Sequence, residues 1–211
     1  MATITSAAGA AGNFQDGSAW VGGVAPTAAD DAVLQATTTS MTIGAGSVCR
    51  SLTTTLFTGT LTHTAGVTLT IGDGTAGAGN VALAFGTFTY TLGNASTSAI
   101  SFVSTSATVQ TINFNGKTTG NVTFNATSNG SWQLTGGWSA LSGTIDLTKG
   151  TLDTNGQTCN WGFFDSGGSS ARTLTLGASQ ISVNFSSNNC WNTNNSGLTL
   201  NAGTSTITLN G

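Results

Sequence analysis

The side chains that could perform acid–base chemistry are few in this sequence, and they are widely separated. Hydrolysis of a glycosidic bond requires two carboxyl groups at a set distance, so the aspartates are the first candidates in a chain without glutamate. Asp146 and Asp153 are separated by a glycine turn, and we expect them on different faces, with Asp146 able to pair with Lys149. We therefore predict no catalytic residue among the aspartates, which are Asp16, Asp30, Asp31, Asp73, Asp146, Asp153 and Asp165.

The single histidine and the three cysteines form no catalytic or metal-binding motif. His63 lies among threonines in TLTHTAG, which is typical of an exposed strand residue, and nothing groups it with a nucleophile. Cys49, Cys159 and Cys190 lack the CxxC spacing of zinc sites, and we expect small buried residues. A Cys159–Cys190 bridge stays open, because spacing alone does not give its geometry. No cofactor and no metal site are predicted.

The five tryptophans are the remaining candidates for a binding role. Exposed aromatic side chains stack on sugar rings, and aromatic residues also anchor protein interfaces. Large side chains that fill irregular parts of the core are the alternative. Trp132 and Trp138 flank the segment QLTGG, and Gly136–Gly137 indicate an open loop between them. We therefore expect Trp132 and Trp138 to be the better candidates for contact with a glycan or a protein partner.

The composition favours strands and turns over helices. The chain has 30 glycines, one proline and only 5% charged residues, with a net charge of -3. Threonine and valine fit strands, whereas glycine, serine and asparagine favour turns. No apolar run is long enough to span a membrane, and MATITSAAGAAG lacks the basic start of a secretion signal, so we expect synthesis in a cytoplasm. Nucleic-acid binding is not expected, because the basic residues are scattered: Arg50, Lys117, Lys149 and Arg172.

A short apolar strand that ends in a glycine turn recurs along the chain. The last apolar residues before these turns are spaced by 13 to 29 residues, with a mean near 21.5, and are Ile71, Leu92, Phe114, Leu134, Leu147, Leu176 and Leu200. A period near 22 without helices suits one coil of a parallel β-solenoid with three strands and three bends. We predict an all-β fold with about eight coils over residues 36–211. An antiparallel sandwich is the alternative.

Alternation within the repeats predicts which side chains face the core. In TLTLGASQISVNF the apolar residues recur at every second position and are expected to point inward, while threonine and serine point outward. In TSTITLNG, Ile207 and Leu209 follow the same rule. Glycine at the corners supplies positive φ angles, and asparagine tolerates them, as at Asn94, Asn115 and Asn155. The predicted inward set of the first segment is Leu174, Leu176, Ile181, Val183 and Phe185.

Residues 1–35 differ from the rest and are predicted to form an N-terminal cap or attachment segment. They contain the only proline and lack the alternation of threonine and leucine. We expect Trp20 to cover the first coil, and Pro26 and Asp30–Asp31 to fix the start of a strand at Ala32–Leu34. Residues 200–211 show no such cap, so either a partner covers that end or the sequence stops short.

Two segments of the chain resemble known β-helical proteins. SAWVGGVAPTAADDAVL resembles the opening motif W-x-G-G-x-x-P-x-x-x-D-D of β-helical proteins from bacterial surfaces and phage particles. GTLDTNGQTCNWGFFDSGGSSARTLTLGASQISV, with CWNTNNSGLTLNAGTSTITL after it, resembles repeats of phage structural proteins of the tail-fibre and appendage types. The resemblance covers about 70 residues. It implies a right-handed parallel β-helix and a passive structural or attachment role, and it offers no catalytic motif.

These observations predict a non-enzymatic structural component of a phage particle, assembled in the host cytoplasm and located in the virion. Its partners would be other virion proteins, with a host surface glycan and a homotrimer as further options. The first alternative is a carbohydrate-binding adhesin module at a bacterial surface or secreted. An ice-binding solenoid and a polysaccharide-active enzyme are less favoured, because the threonine pairs are irregularly spaced and no acid pair converges.

Overall fold

The fold is all-β. The computed structural model describes residues 2–126, 129–184, 190–194 and 196–210, and this part of the chain contains no α-helix and two short 3-10 turns at Gly17–Ala19 and Ala78–Asn80. The strands are β1 Thr3–Thr5, β2 Ala11–Asn13, β3 Asp31–Val33, β4 Ser40–Ile43, β5 Val48–Cys49, β6 Ser51–Thr53, β7 Thr60–His63, β8 Thr68–Ile71, β9 Val81–Ala84, β10 Thr89–Leu92, β11 Ala99–Phe102, β12 Gln110–Asn113, β13 Asn121–Asn125, β14 Ser131–Leu134, β15 Trp138–Asp153, β16 Thr158–Asp165, β17 Arg172–Thr175, β18 Gln180–Val183, β19 Trp191–Asn192, β20 Leu198–Asn201 and β21 Thr206–Leu209.

The strands pair in parallel along three ladders. The first ladder joins β1, β3, β6, β9, β12, β14, the end of β15, β17 and β20. The second joins β5, β8, β11, β13, the middle of β15, the end of β16 and β19. The third comprises a four-stranded sheet of β2, β4, β7 and β10, and later the starts of β15 and β16 with β18 and β21.

This topology excludes the antiparallel sandwich, because every pairing between these strands is parallel. One large parallel sheet curls into a half-barrel, which is compatible with a parallel β-solenoid. The long strands β15 and β16 bend from one ladder to the next. Their bends lie at Gly143, Gly150 and Gly162, where an added Cβ would meet neighbouring backbone within 2.8 Å.

The interior is apolar and stacked along the ladders. Leu174, Leu176, Ile181 and Val183 are at most 1% exposed, as the alternation predicts, while Phe185 lies outside the described residues. Rings lie over rings: Phe102 and Phe124 stack at 5.2 Å between centroids. Such stacking buries apolar surface between successive strands of a ladder, which is the main source of stability for a chain with so few charges.

The two ends of the ladders are finished differently. Residues 19–21 run antiparallel to residues 5–7, with the Val21 N–H bonded to the Thr5 carbonyl and the Ala7 N–H bonded to the Ala19 carbonyl, both at 2.9 Å, so the end of β1 is covered there. At the other end, Ile207 and Leu209 occupy the inward register of β21 but are 36% and 57% exposed. Their predicted burial is wrong, because no further described strand packs over β21.

The first 35 residues contribute strands as well as a covering segment. β1 and β2 both precede residue 35, and they pair with β3 and β4 in the same parallel ladders as the rest of the chain. The predicted strand at Ala32–Leu34 is observed one residue earlier, at Asp31–Val33. The covering part is therefore the segment between β2 and β3, and not the whole of residues 1–35.

Candidate functional site

A buried ion pair joins the start of β3 to the turn between β5 and β6. Asp31 begins β3 and is only 4% exposed; its Oδ1 accepts hydrogen bonds from Arg50 Nε at 2.9 Å and Ser51 Oγ at 2.5 Å, and Arg50 Nη2 binds Oδ2. Burial opposes ionisation of Asp31, but the hydrogen bonds from Arg50 and Ser51 outweigh it and leave the pKa below its ordinary value. The Ala78 N–H also donates to Asp31, at 3.2 Å, so this carboxylate joins three separate segments.

The other residues predicted for the cap have local roles. Trp20 is 2% exposed, packs edge-on against Phe14 at 5.0 Å and donates its indole N–H to the Phe14 carbonyl at 2.9 Å. Pro26 is buried. Asp30 accepts hydrogen bonds from the N–H and Oγ1 of Thr27, at 3.1 and 2.5 Å, which close the turn before β3 and lower its pKa. None of these three side chains is arranged to bind a small molecule.

Trp132 and Trp138 lie inside the fold, so the exposure predicted for them is wrong. They are 0% and 2% exposed. Trp138 stacks on Phe114 at 4.6 Å and donates its indole N–H to Thr119 Oγ1 at 2.9 Å. Gly136–Gly137 do separate β14 from β15, but Trp132 and Trp138 both occupy inward register positions of their strands. Neither ring is available for a glycan or a partner.

Two carboxyl groups lie side by side on the second ladder, where Asp146 of β15 is the register partner of Asp165 of β16. Both side chains are half-buried. Asp165 Oδ1 accepts hydrogen bonds from the Gly167 N–H at 2.7 Å and from Asn192 Nδ2 at 2.9 Å. Burial, together with the charge of Asp165, raises the pKa of Asp146 to about 6, although Arg172 acts in the opposite direction.

This acid pair was missed in the sequence, where Asp146 was compared with Asp153 and Lys149. Asp153 does lie on a different ladder, as predicted. The neighbour of Asp146 is Asp165, 19 residues later and close to one average repeat, and each follows a large apolar residue. A carboxyl group with a pKa near neutrality can hold a proton beside an ionised carboxylate and donate it, so this pair is the part of the described chain best suited to acid–base chemistry.

A cavity of about 520 Å³ lies at the corner between the second and first ladders, beside Lys149, Gly150 and Arg172. Arg172 does not offer its charge to this space. Its side chain is buried, and it donates to Ser166 Oγ, to the Gly168 carbonyl and to the Ser170 carbonyl at 2.7 to 2.8 Å. The Arg172 guanidinium therefore holds the loop that follows β16. Its role at the edge of the cavity is to support the fold, and not to bind a ligand.

His63 is buried, so the exposed position predicted for it is wrong. It is 1% exposed, with Nε2 3.0 Å from the Val67 carbonyl and Nδ1 2.8 Å from the Tyr90 hydroxyl. Burial lowers its pKa below the ordinary value, while the hydrogen bond to Val67 acts against this. The neutral ring donates from Nε2 and accepts at Nδ1, which satisfies both nitrogens inside the core.

The cysteines of the described chain are free thiols and belong to no cluster of metal ligands. Cys49 and Cys159 are buried, and Cys159 and Cys190 are free thiols, so the bridge left open above does not form. Burial raises the pKa of Cys159 to about 12. Among the described residues, no three His, Cys, Asp or Glu side chains are grouped to hold a metal ion.

Comparison of the chain with protein-family models, curated proteins and solved structures found no match. Within the described residues, no helix has the length and hydrophobicity needed to cross a membrane.

Proposed function

We propose that this protein is a rigid, non-enzymatic structural component of a phage particle, as a fibre, tail appendage or surface decoration. In this proposal the chain is a right-handed parallel β-helix of about eight coils. The supporting observation is the continuity of the parallel ladders, of which the first connects β1 to β20 without a break. A continuous ladder of this kind resists bending and proteolysis, because few backbone groups along its length are left unpaired.

The placement of the ionisable groups supports a passive role. Asp31 and Arg50 bind each other in the interior, and Arg172 binds backbone carbonyls. These three side chains therefore hold strands and loops of the fold together and are not offered to a ligand. In this proposal other virion proteins contact the ends or sides of the rod, and a host glycan or a trimer would involve surfaces other than Trp132 and Trp138.

Localisation on intact particles tests this proposal. Antibodies against the purified protein, coupled to gold and applied to density-purified particles, are expected to label one structural feature in electron micrographs. Mass spectrometry of the same particles should detect the chain in stoichiometric amounts. Its absence from particles that contain all other structural proteins would overturn the proposal.

A polysaccharide-cleaving enzyme is the second candidate, and the Asp146–Asp165 pair is the observation that favours it. Adjacent strands are about 4.8 Å apart, close to the carboxyl separation of about 5–5.5 Å in retaining glycosidases. Release of reducing ends from host capsule or cell-wall polysaccharide would support it if Asp146→Asn and Asp165→Asn each abolish the release. An activity that survives both substitutions would exclude this pair as the catalytic centre.

A further inference from the structure

We propose that the outer face of the four-stranded sheet binds the ordered water lattice at the surface of an ice crystal. The face carries a grid of six hydroxyl side chains on three neighbouring strands, β4, β7 and β10. Because the strands are in register, the six residues lie in two columns that run across the strands, with one residue of each strand in each column. We call it the hydroxyl grid, and its members are Ser40, Thr42, Thr60, Thr62, Thr89 and Thr91.

The register fixes the dimensions of the hydroxyl grid. Neighbouring strands in a sheet are about 4.8 Å apart, and alternate residues along a strand are about 6.6–6.8 Å apart. The two repeats make the outward positions a regular two-dimensional array, which is what a crystalline surface requires of its partner. The Thr91 hydroxyl donates to the Thr62 hydroxyl at 3.1 Å, which leaves the Thr62 hydrogen and the remaining lone pairs of both oxygens for water.

The side chains of the grid are held from below. Met41 and Leu61, which alternate with the hydroxyl residues, are fully buried, and Tyr90 is anchored by the bond between its hydroxyl and His63. Threonine is branched at Cβ and therefore restricted in χ1. Hydroxyl groups on such a support keep their separations, which an ordered layer of water requires.

Ice is the occupant that best fits the chemistry of this face. The outward positions of β2, β4, β7 and β10 carry hydroxyl, amide and methyl groups and no charge, so they do not impose a charged hydration shell. Sugar-binding faces use exposed aromatic rings, but Tyr90 points inward. Protein interfaces use large aromatic or arginine anchors, and the grid has neither. An uncharged lattice of oxygens complements it.

Ice recrystallisation in the presence of the full chain tests the inference. The unmodified protein is expected to slow crystal coarsening, and Thr62→Lys, at the centre of the grid, should need at least about a tenfold higher concentration for the same effect. Thr70→Lys is the matched control, because Thr70 is an equally half-buried outward residue of β8 on a different ladder. Thermal unfolding of both variants checks that they fold.

The results of these measurements distinguish ice from a polysaccharide as the ligand of the hydroxyl grid. An unmodified protein that leaves recrystallisation unchanged up to its solubility limit would overturn the inference, and so would equal losses in Thr62→Lys and Thr70→Lys. Binding to crystalline cellulose or chitin that Thr62→Lys abolishes, without any effect on ice, would show that the face binds a polysaccharide and not ice. These results are independent of the particle labelling that tests the structural role.

Discussion

Burial and the neighbouring charge of Asp165 both disfavour the ionised form of Asp146 in the folded state. The unfolded chain releases this proton near the ordinary pKa of 3.8, whereas the folded chain releases it near a pKa of about 6. Between these values the folded state binds more protons than the unfolded state, so the free energy of unfolding decreases as pH rises. The destabilisation is absent below about pH 4 and complete above the folded pKa.

Asp146→Asn is therefore expected to stabilise the protein at about pH 8 and to leave it unchanged at about pH 3.5. A pKa unit corresponds to about 1.4 kcal/mol, and solvent screening of this half-exposed group reduces the effect, so the gain should be about 1–2 kcal/mol. Urea unfolding at the two pH values measures it.

Asp153→Asn is the matched control on the same strand. Asp153 accepts hydrogen bonds from Gln133 Nε2 at 2.9 Å and from the Asn155 N–H at 2.7 Å. Its neighbours are therefore hydrogen-bond donors, whereas the register partner of Asp146 is a second carboxyl group. It should gain no stability at about pH 8. Equal gains in both variants would mean that general surface charge, and not the Asp146–Asp165 contact, is responsible.

At the scale of the elements, the glycines at the bends between ladders allow neighbouring backbone and side chains to pack closely. Gly150 lies inside β15, where that strand passes from the second ladder to the first, and its φ is +99°. An added Cβ would lie 2.7 Å from the Gly130 carbonyl and 2.9 Å from Trp132 Cζ3. This corner therefore depends on the absence of a side chain, both for its backbone conformation and for the packing of Trp132.

Gly150→Ala is expected to lower the free energy of unfolding by at least about 2 kcal/mol, because strain and a clash act together. Gly156→Ala is the control: its φ is +71°, but nothing lies within 4 Å of the added Cβ, so only the conformational cost of about 1 kcal/mol applies. Chemical denaturation compares them. An equal loss in both would show that the contact with Trp132 has no effect.

At the scale of the whole molecule, the two ends of the ladders differ in their readiness to associate. Residues 19–21 pair with the end of β1 and the two residues after it, whereas β20 and β21 have no described neighbour beyond them. Leu200 and Leu209 are 44% and 57% exposed at that end. Open strand edges with apolar side chains promote pairing with other chains.

We expect the chain to self-associate through this end in a concentration-dependent manner, and we expect the double substitution Leu200→Lys and Leu209→Lys to reduce this association. Sedimentation velocity measures it. Thr199→Lys with Thr208→Lys adds the same charge to the outward positions of the same strands and should have a smaller effect. Equal reductions in the two double variants would indicate that net charge, and not the apolar edge, governs association.

The sequence alone determined the class of the fold and the orientation of most strand residues. Alternation with a period of two is a local property, so Leu174 and Ile181 were correctly predicted to face the core. Positive φ was likewise expected at Asn94, Asn115 and Asn155; the structure has 49° at Asn115 and 50° at Asn155, but Asn94 does not have a positive φ. Trp132 and Trp138 follow the same alternation, but the nearby glycines were taken as the sign of an exposed loop.

Only the tertiary structure decided which side chains are neighbours between strands. The contact of Asp146 with Asp165, the ion pair of Asp31 with Arg50 and the alignment of Thr60 with Thr89 all join residues of different strands. Such neighbours depend on the number of residues in every intervening turn, and these numbers vary along the chain. Because a change of one residue in a turn moves each side chain to the opposite face of its strand, register is a property of the folded molecule and not of any single repeat.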